Sequence, residues 1–173
     1  MRDDKPPFLR RAVLRLLFVG LLFVAAFGLR LLYIDLPPLD FHPTRQYHSD
    51  IVASGYYFEA SEVTPEWKRE LASLNKQEEG IIEPPILELT AAFAYGILGA
   101  EHLWTPRVLS ALFWVVGGVF LYLSARKIAS PGAAVFSTTF YLLLPYGVWA
   151  SRSFQPDPLM VMMLLISIYT KLR

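Results

Sequence analysis

Side chains able to do chemistry are densest in Asp40-Phe-His-Pro-Thr-Arg-Gln-Tyr-His-Ser-Asp50. Asp40 follows closely on Ile34, where the first long apolar run ends. A carboxylate at that lipid–water boundary can meet an acceptor from the water side and a lipid-borne donor from the bilayer side. A general base for glycosyl or acyl transfer must lie within hydrogen-bond reach of the proton it removes. The ordinary alternative is a solvated loop acid. Asp40-x-His42 and His48-x-Asp50 also offer oxygen and nitrogen ligands for a divalent metal, although their spacing matches no strict zinc signature. Pro43 after His42 predicts an extended turn there.

Asp157 is the second acid, in Ser151-Arg-Ser-Phe-Gln-Pro-Asp-Pro158. It is expected on the same membrane face as Asp40, and the flanking prolines also suit a turn in which it caps the next helix. Arg152 and Arg45 are candidate phosphate ligands, because a guanidinium fork matches phosphate oxygens two at a time. Arg107 is a third. For each, headgroup anchoring is the competing role. Glu83-Pro-Pro opens a short apolar segment and places Glu83 near a helix N-terminus, where a carboxylate is favourable. Glu88 lies inside that segment and would be costly if buried in lipid.

The elements that must position these residues are membrane helices. The 173-residue chain is 54% apolar and 14% aromatic, with mean hydropathy +0.40, too apolar for an ordinary soluble domain. A net charge of +1 gives no support for a nucleic-acid partner. With no cysteine, disulfides, thiolate metal sites and a cysteine nucleophile are excluded. The N-terminal apolar run is too long for a cleaved signal and lacks a small-residue cleavage site.

Residues 12–34 form the clearest span, about 34 Å of helix against a hydrocarbon core of ~30 Å. Arg15 and Arg30 near its ends are placed to snorkel. Further spans are predicted at 103–125, 133–150 and 159–173, and residues 35–102 form a long outer loop. Residues 86–98 would make only about 20 Å of helix. Treating them as non-crossing keeps Arg126, Lys127, Lys171 and Arg173 inside with Arg2, Lys5, Arg10, Arg11 and Arg15, as the positive-inside rule requires. The reading is therefore all-α and polytopic: about four spans, juxtamembrane helices in the first outer loop, and a cytoplasmic N-terminus in the plasma (inner) membrane. Within the loop, Thr64 is expected to cap a helix starting at Pro65, with Trp67, Leu71 and Leu74 on one face and Gly80 as its stop. That face suits the membrane surface or the protein's own side.

Several pieces, in order, resemble a known pattern: Glu83-Pro-Pro-Ile, Phe93-Ala-Tyr-Gly-Ile-Leu-Gly, Pro106-Arg-Val-Leu-Ser-Ala-Leu, Leu121-Tyr-Leu-Ser-Ala-Arg-Lys, Leu144-Pro-Tyr and Ser151-Arg-Ser-Phe-Gln-Pro-Asp-Pro. Together with Asp40-Phe-His-Pro-Thr-Arg-Gln, they look like the N-terminal region of GT-C membrane glycosyltransferases. The closest group is glycosyltransferase family 39, with its protein O-mannosyltransferases and lipid A aminoarabinose transferase. The resemblance implies inverting transfer of a sugar from a polyprenyl-phosphate donor to a glycan, lipid or protein acceptor on the outer face. It assigns Asp40 as general base, Asp157 as the acid of a later outer loop, and Arg152 to the neighbourhood of the lipid phosphate. Two features depart from the family. Phe41 stands where many members carry a second acid, leaving Asp50 or none. Glu83 stands where members often carry a basic residue before the proline pair.

The family has more helices than are present here, so the chain is expected to be an N-terminal, truncated part of the enzyme and inactive by itself. No cofactor is expected beyond the metal considered above. Two readings from other classes compete. A transporter or flippase subunit would use Arg15, Arg30 and Glu88 along a path through the bilayer, and an accessory membrane protein would need no site at all.

Overall fold

The first apolar run folds as one helix, α1 (Pro7–Leu31), and its exposure pattern is inverted relative to a water-soluble protein. Leu14, Leu16, Leu17, Leu21 and Val24 are exposed, whereas the largest fully buried side chains are Arg30 and Arg107. In water the apolar side chains would form a large uncovered patch, but in hydrocarbon they are correctly placed. The computed structural model describes residues 7–173, with side-chain surroundings from Ala12 onward. Arg2, Asp3, Asp4 and Lys5 lie outside the described residues.

After α1 the helices run α2 (Pro43–Ala60), α3 (Glu66–Glu79), α4 (Ile86–Leu98), α5 (Trp104–Ile128), α6 (Pro131–Leu143), α7 (Pro145–Ala150) and α8 (Asp157–Leu172). No strand is found among the described residues. The described residues form an all-helical membrane fold. Two helices are long and apolar enough to cross a bilayer, α1 over Ala12–Leu31 and α5 over Trp104–Ile128.

Helix α5 is the hub of the apolar half and packs against α8, α6 and α1. Glycines allow this close approach. A Cβ on Gly117 would lie 3.0 Å from the Tyr141 hydroxyl and 3.2 Å from Met162 Cα, and one on Gly118 would lie 3.0 Å from Leu142 Cδ2. Small residues let membrane helices bring their backbones together. The Trp114 and Tyr141 rings stack with centroids 4.6 Å apart and an interplanar angle of 3°. Tyr141 also donates to the Trp114 carbonyl at 3.1 Å.

The polar half holds α2, α3 and α4. Its core is Ala53, Leu87, Ala91, Tyr95 and Phe154, and Phe154 brings the 151–156 loop into that core. Helix α3 buries none of its side chains, and Trp67, Leu71 and Leu74 are exposed. Three local expectations are revised. Thr64 does not cap α3: Pro65 holds the cap position, and the Thr64 hydroxyl donates to Ser61 Oγ at 2.9 Å. Threonine hydroxyls readily make such local bonds instead of caps. Residues 133–150 are not one helix, because Leu144 is extended (φ −57°, ψ 123°) and separates α6 from α7. Pro145 excludes Leu144 from the helical region. Arg30 does not snorkel but is fully buried.

The ends of α1 and α5 meet. Arg107 Nη1 donates to the Ile34 and Leu36 carbonyls at 3.0 and 2.8 Å. The intervening segment, which carries α2, α3 and α4, therefore returns to the end of the helix pair that it left.

Candidate active site

Asp40 sits where these ends meet. Its Oδ2 accepts a hydrogen bond from Arg107 Nη2 at 3.0 Å and lies 2.9 Å from Arg152 Nη2. Asp40 is 27% exposed, Arg107 1% and Arg152 12%. Among the described residues no side chain hydrogen-bonds Oδ1, so one carboxylate oxygen is held and the other is open. Arg152 Nη1 also donates to the Leu32 carbonyl at 2.9 Å. The carbonyls at a helix C-terminus lack intrahelical partners and form the negative end of its dipole. Here two arginines from distant parts of the chain supply donors just past α1, and both also hold the acid.

Arg30 completes the positive cluster. Its Nε donates to Ser151 Oγ at 2.7 Å and its Nη1 to the Ala26 carbonyl at 2.8 Å. Arg30 Nη2, Arg107 Nε and Arg152 Nε are buried without a hydrogen-bond partner. Buried donors left unpaired carry a free-energy cost. Two guanidiniums thus hold one carboxylate, and a third, Arg30, is tied through Ser151 to the residue beside Arg152.

The segment carrying Asp40 and the segment carrying Arg152 are tied by Gln46, which is 1% exposed. Its Nε2 donates to the Phe41 carbonyl at 2.6 Å and the Pro38 carbonyl at 3.4 Å, and its Oε1 accepts from the Phe154 amide at 3.0 Å.

A second group lies to one side. Arg45 and Glu83 form an exposed ion pair at the edge of a cleft of about 500 Å³. Asp157 lines the same cleft, whose walls include Ile86, Leu87, Leu159 and Met160. Asp157 is in the first turn of α8 and makes no capping bond. The expectation that Asp157 caps α8 is therefore corrected, with Pro156 in the cap position. Asp157 joins Arg45 and Glu83, whereas Arg152 joins Asp40.

The His and Asp pairs of the loop separate. His48 bonds Glu79 of α3 at 2.9 Å, and Asp50 accepts from the Tyr95 hydroxyl at 2.9 Å. His42 stands edge-on to Phe41. Its backbone is left-handed (φ 44°, ψ 63°), not extended, a strained state for a non-glycine residue. No cluster of three or more metal-ligating side chains occurs among the described residues. Burial pushes the Asp50 carboxyl up to about 6, opposed by the Tyr95 hydrogen bond and reinforced by Glu101. The Tyr95 hydroxyl is pushed up by burial and by Asp50 beside it.

Two participants carried no recognisable signal. Gln46 had only its place in the loop, and Tyr95 only its place in a short apolar helix. Arg107 was singled out as a candidate phosphate ligand or headgroup anchor, and its partners here are instead Asp40 and the Ile34 and Leu36 carbonyls.

A protein-family model described as dolichyl-phosphate-mannose-protein mannosyltransferase matches residues 82–173, just over half of the chain. The match takes in α4 to α8, with Glu83, Arg107, Arg152 and Asp157, and stops short of Asp40, Arg45 and Gln46. No curated protein and no solved structure matches the chain.

Proposed function

We propose a reaction on one premise, that the chain belongs to the dolichyl-phosphate-mannose-protein mannosyltransferase family: Asp40 deprotonates an acceptor that attacks a polyprenyl-phosphate sugar. The family carries out membrane glycosyl transfer. The observation that carries the reading is the asymmetry of Asp40, with Oδ2 tied to Arg107 and Arg152 and Oδ1 open. Oδ1 takes the proton of the acceptor hydroxyl as its oxygen bonds to the anomeric carbon. The bond from that carbon to the phosphate oxygen breaks, and the configuration inverts. Negative charge collects on the departing polyprenyl phosphate, where Arg152, and Arg45 from the neighbouring cleft, supply positive charge.

The apolar walls of the Arg45–Glu83–Asp157 cleft, with charge at its rim, suit a ligand that is polar at one end and hydrocarbon at the other. The acceptor is a hydroxyl of a glycan, lipid or protein. Residues 35–102 lie on the outer side and the N-terminus inside, with α1 and α5 crossing the bilayer. The meeting of the α1 and α5 ends supports that arrangement, since the intervening helices return to one face. A transport path is disfavoured because Arg30, Arg107 and Arg152 gather at one end of the bundle, whereas transport needs polar groups near mid-membrane.

The test is Asp40→Asn in the full-length protein, expressed in native membranes and assayed with a polyprenyl-phosphate sugar. Loss of a general base lowers turnover roughly a hundredfold or more. Near-normal turnover at unchanged expression refutes the assignment.

A further inference from the structure

We infer that Gln46 is a positioning residue that sets the geometry of Asp40 against Arg152; this rests on the reading of Asp40 as the base. Gln46 uses both of its donors and its oxygen on two loops. Both amide N–H bonds go to carbonyls that bracket Asp40 in sequence, those of Pro38 and Phe41. Its oxygen takes the Phe154 amide, two residues beyond Arg152. One buried side chain therefore fixes both the loop that bears the carboxylate and the loop that bears the guanidinium bound to it.

Two properties suit it to this role. An amide is neutral, so it adds no charge beside the carboxylate and arginines. It also donates and accepts at once, which the mixed demand of two carbonyls and one N–H requires. Its placement is rigid, because Gln46 lies in the first turns of α2 and Phe154 is 2% exposed in the core beneath.

The variants to compare are Gln46→Leu, which removes all three bonds, Gln46→Glu, which keeps an acceptor for the Phe154 amide and loses the two donors, and Gln46→Asn, which shortens the amide. Each is made in the full-length protein, expressed in native membranes with and without Asp40→Asn, and transfer from a polyprenyl-phosphate sugar is resolved into kcat and KM. Displacing a reacting group by about 1 Å costs up to roughly a hundredfold. The expected result is a ten- to hundredfold fall in kcat with donor KM unchanged, Glu as impaired as Leu, and no further loss in the Asp40→Asn background.

A Gln46→Glu variant with normal kcat would show that only the Phe154 tether matters and overturn the proposal. So would a full additional loss in the Asp40→Asn background. If Gln46→Leu fails to accumulate, the Asn and Glu variants give the same decision. Normal turnover of Asp40→Asn alone instead overturns the base reading, so the two failures are distinguishable.

Discussion

Arg107 and Asp40 lie 67 residues apart in the chain and share a 3.0 Å hydrogen bond at the point where α5 begins and α1 has just ended. The same guanidinium holds the carbonyls of Ile34 and Leu36. Its role is therefore architectural as well as electrostatic, and it differs from that of Arg152, which is more exposed and reaches Asp40 from the 151–156 loop.

This difference predicts an order of damage. Arg107→Ala leaves the Ile34 and Leu36 carbonyls unpaired around a buried hole and takes one of Asp40's two arginines, and a buried acceptor left unpaired costs about 1–3 kcal/mol. Arg152→Ala should cost less, since water can reach its place. Thermal unfolding in detergent should show a larger fall in midpoint for Arg107→Ala. Equal midpoints for the two variants would contradict the capping role of Arg107.

Glu83 pairs with Arg45 and neutralises it. Releasing Arg45 should favour an anionic donor. Glu83→Gln is expected to lower the donor KM, and Arg45→Ala to raise it and to lower kcat, because Arg45 also meets charge that develops in the transition state. Stability should hardly move, because an exposed pair contributes only about 0–1 kcal/mol. Unchanged KM in both variants would remove this cleft from the donor's path.

Asp50 gives a pH dependence. Its carboxyl is raised from the ordinary 3.8 to about 6 in the fold, so the folded protein holds this proton more tightly than the unfolded chain. The contribution to stability is full below about pH 3.8 and is lost as pH rises through about 6. Asp50→Asn can still accept from Tyr95 and should flatten this slope, raising the unfolding midpoint at pH 7. A midpoint that climbs between pH 4 and 6 only when Asp50 is present would reverse the sign and refute the burial argument.

Gly117 predicts an overpacking effect. Gly117→Val must displace the Tyr141 hydroxyl or part α5 from the Met162 backbone, and overpacking costs typically about 1–3 kcal/mol. Gly96→Ala, in α4 with nothing within 4 Å of the added Cβ, should instead stabilise by about 0.4–1 kcal/mol. The two glycine variants should shift the unfolding midpoint in opposite directions.

The helical membrane architecture was legible because apolar run length and charge at the run ends report directly on hydrocarbon thickness. The short helix 86–98 was bounded correctly by the prolines before it and Gly99 after it. The kink at Leu144 was visible in the Leu144-Pro145 pair, but the run of apolar residues across it outweighed that local cue. Asp40 could be singled out from its place beside a span, and Arg152 from its type. Their contact could not, because it depends on how α1, α5 and the 151–156 loop converge, and no local pattern encodes that convergence. The metal reading failed for the same reason. His48 and Asp50, close in sequence, find separate partners in α3 and α4.

The arginines that meet the carbonyls just beyond α1 make the site sensitive to depth. Leu32, Ile34 and Leu36 are held by the two guanidiniums that also hold Asp40. Sliding α1 along the bilayer normal relative to α5 would drag those carbonyls and change the carboxylate's seat. A lipid bilayer adjusts helices by tilt and vertical displacement when its thickness differs from theirs. The Asp40 carboxylate is therefore registered against the vertical position of the first helix, and on its proposed role as the base membrane thickness becomes a mechanical input to the reaction.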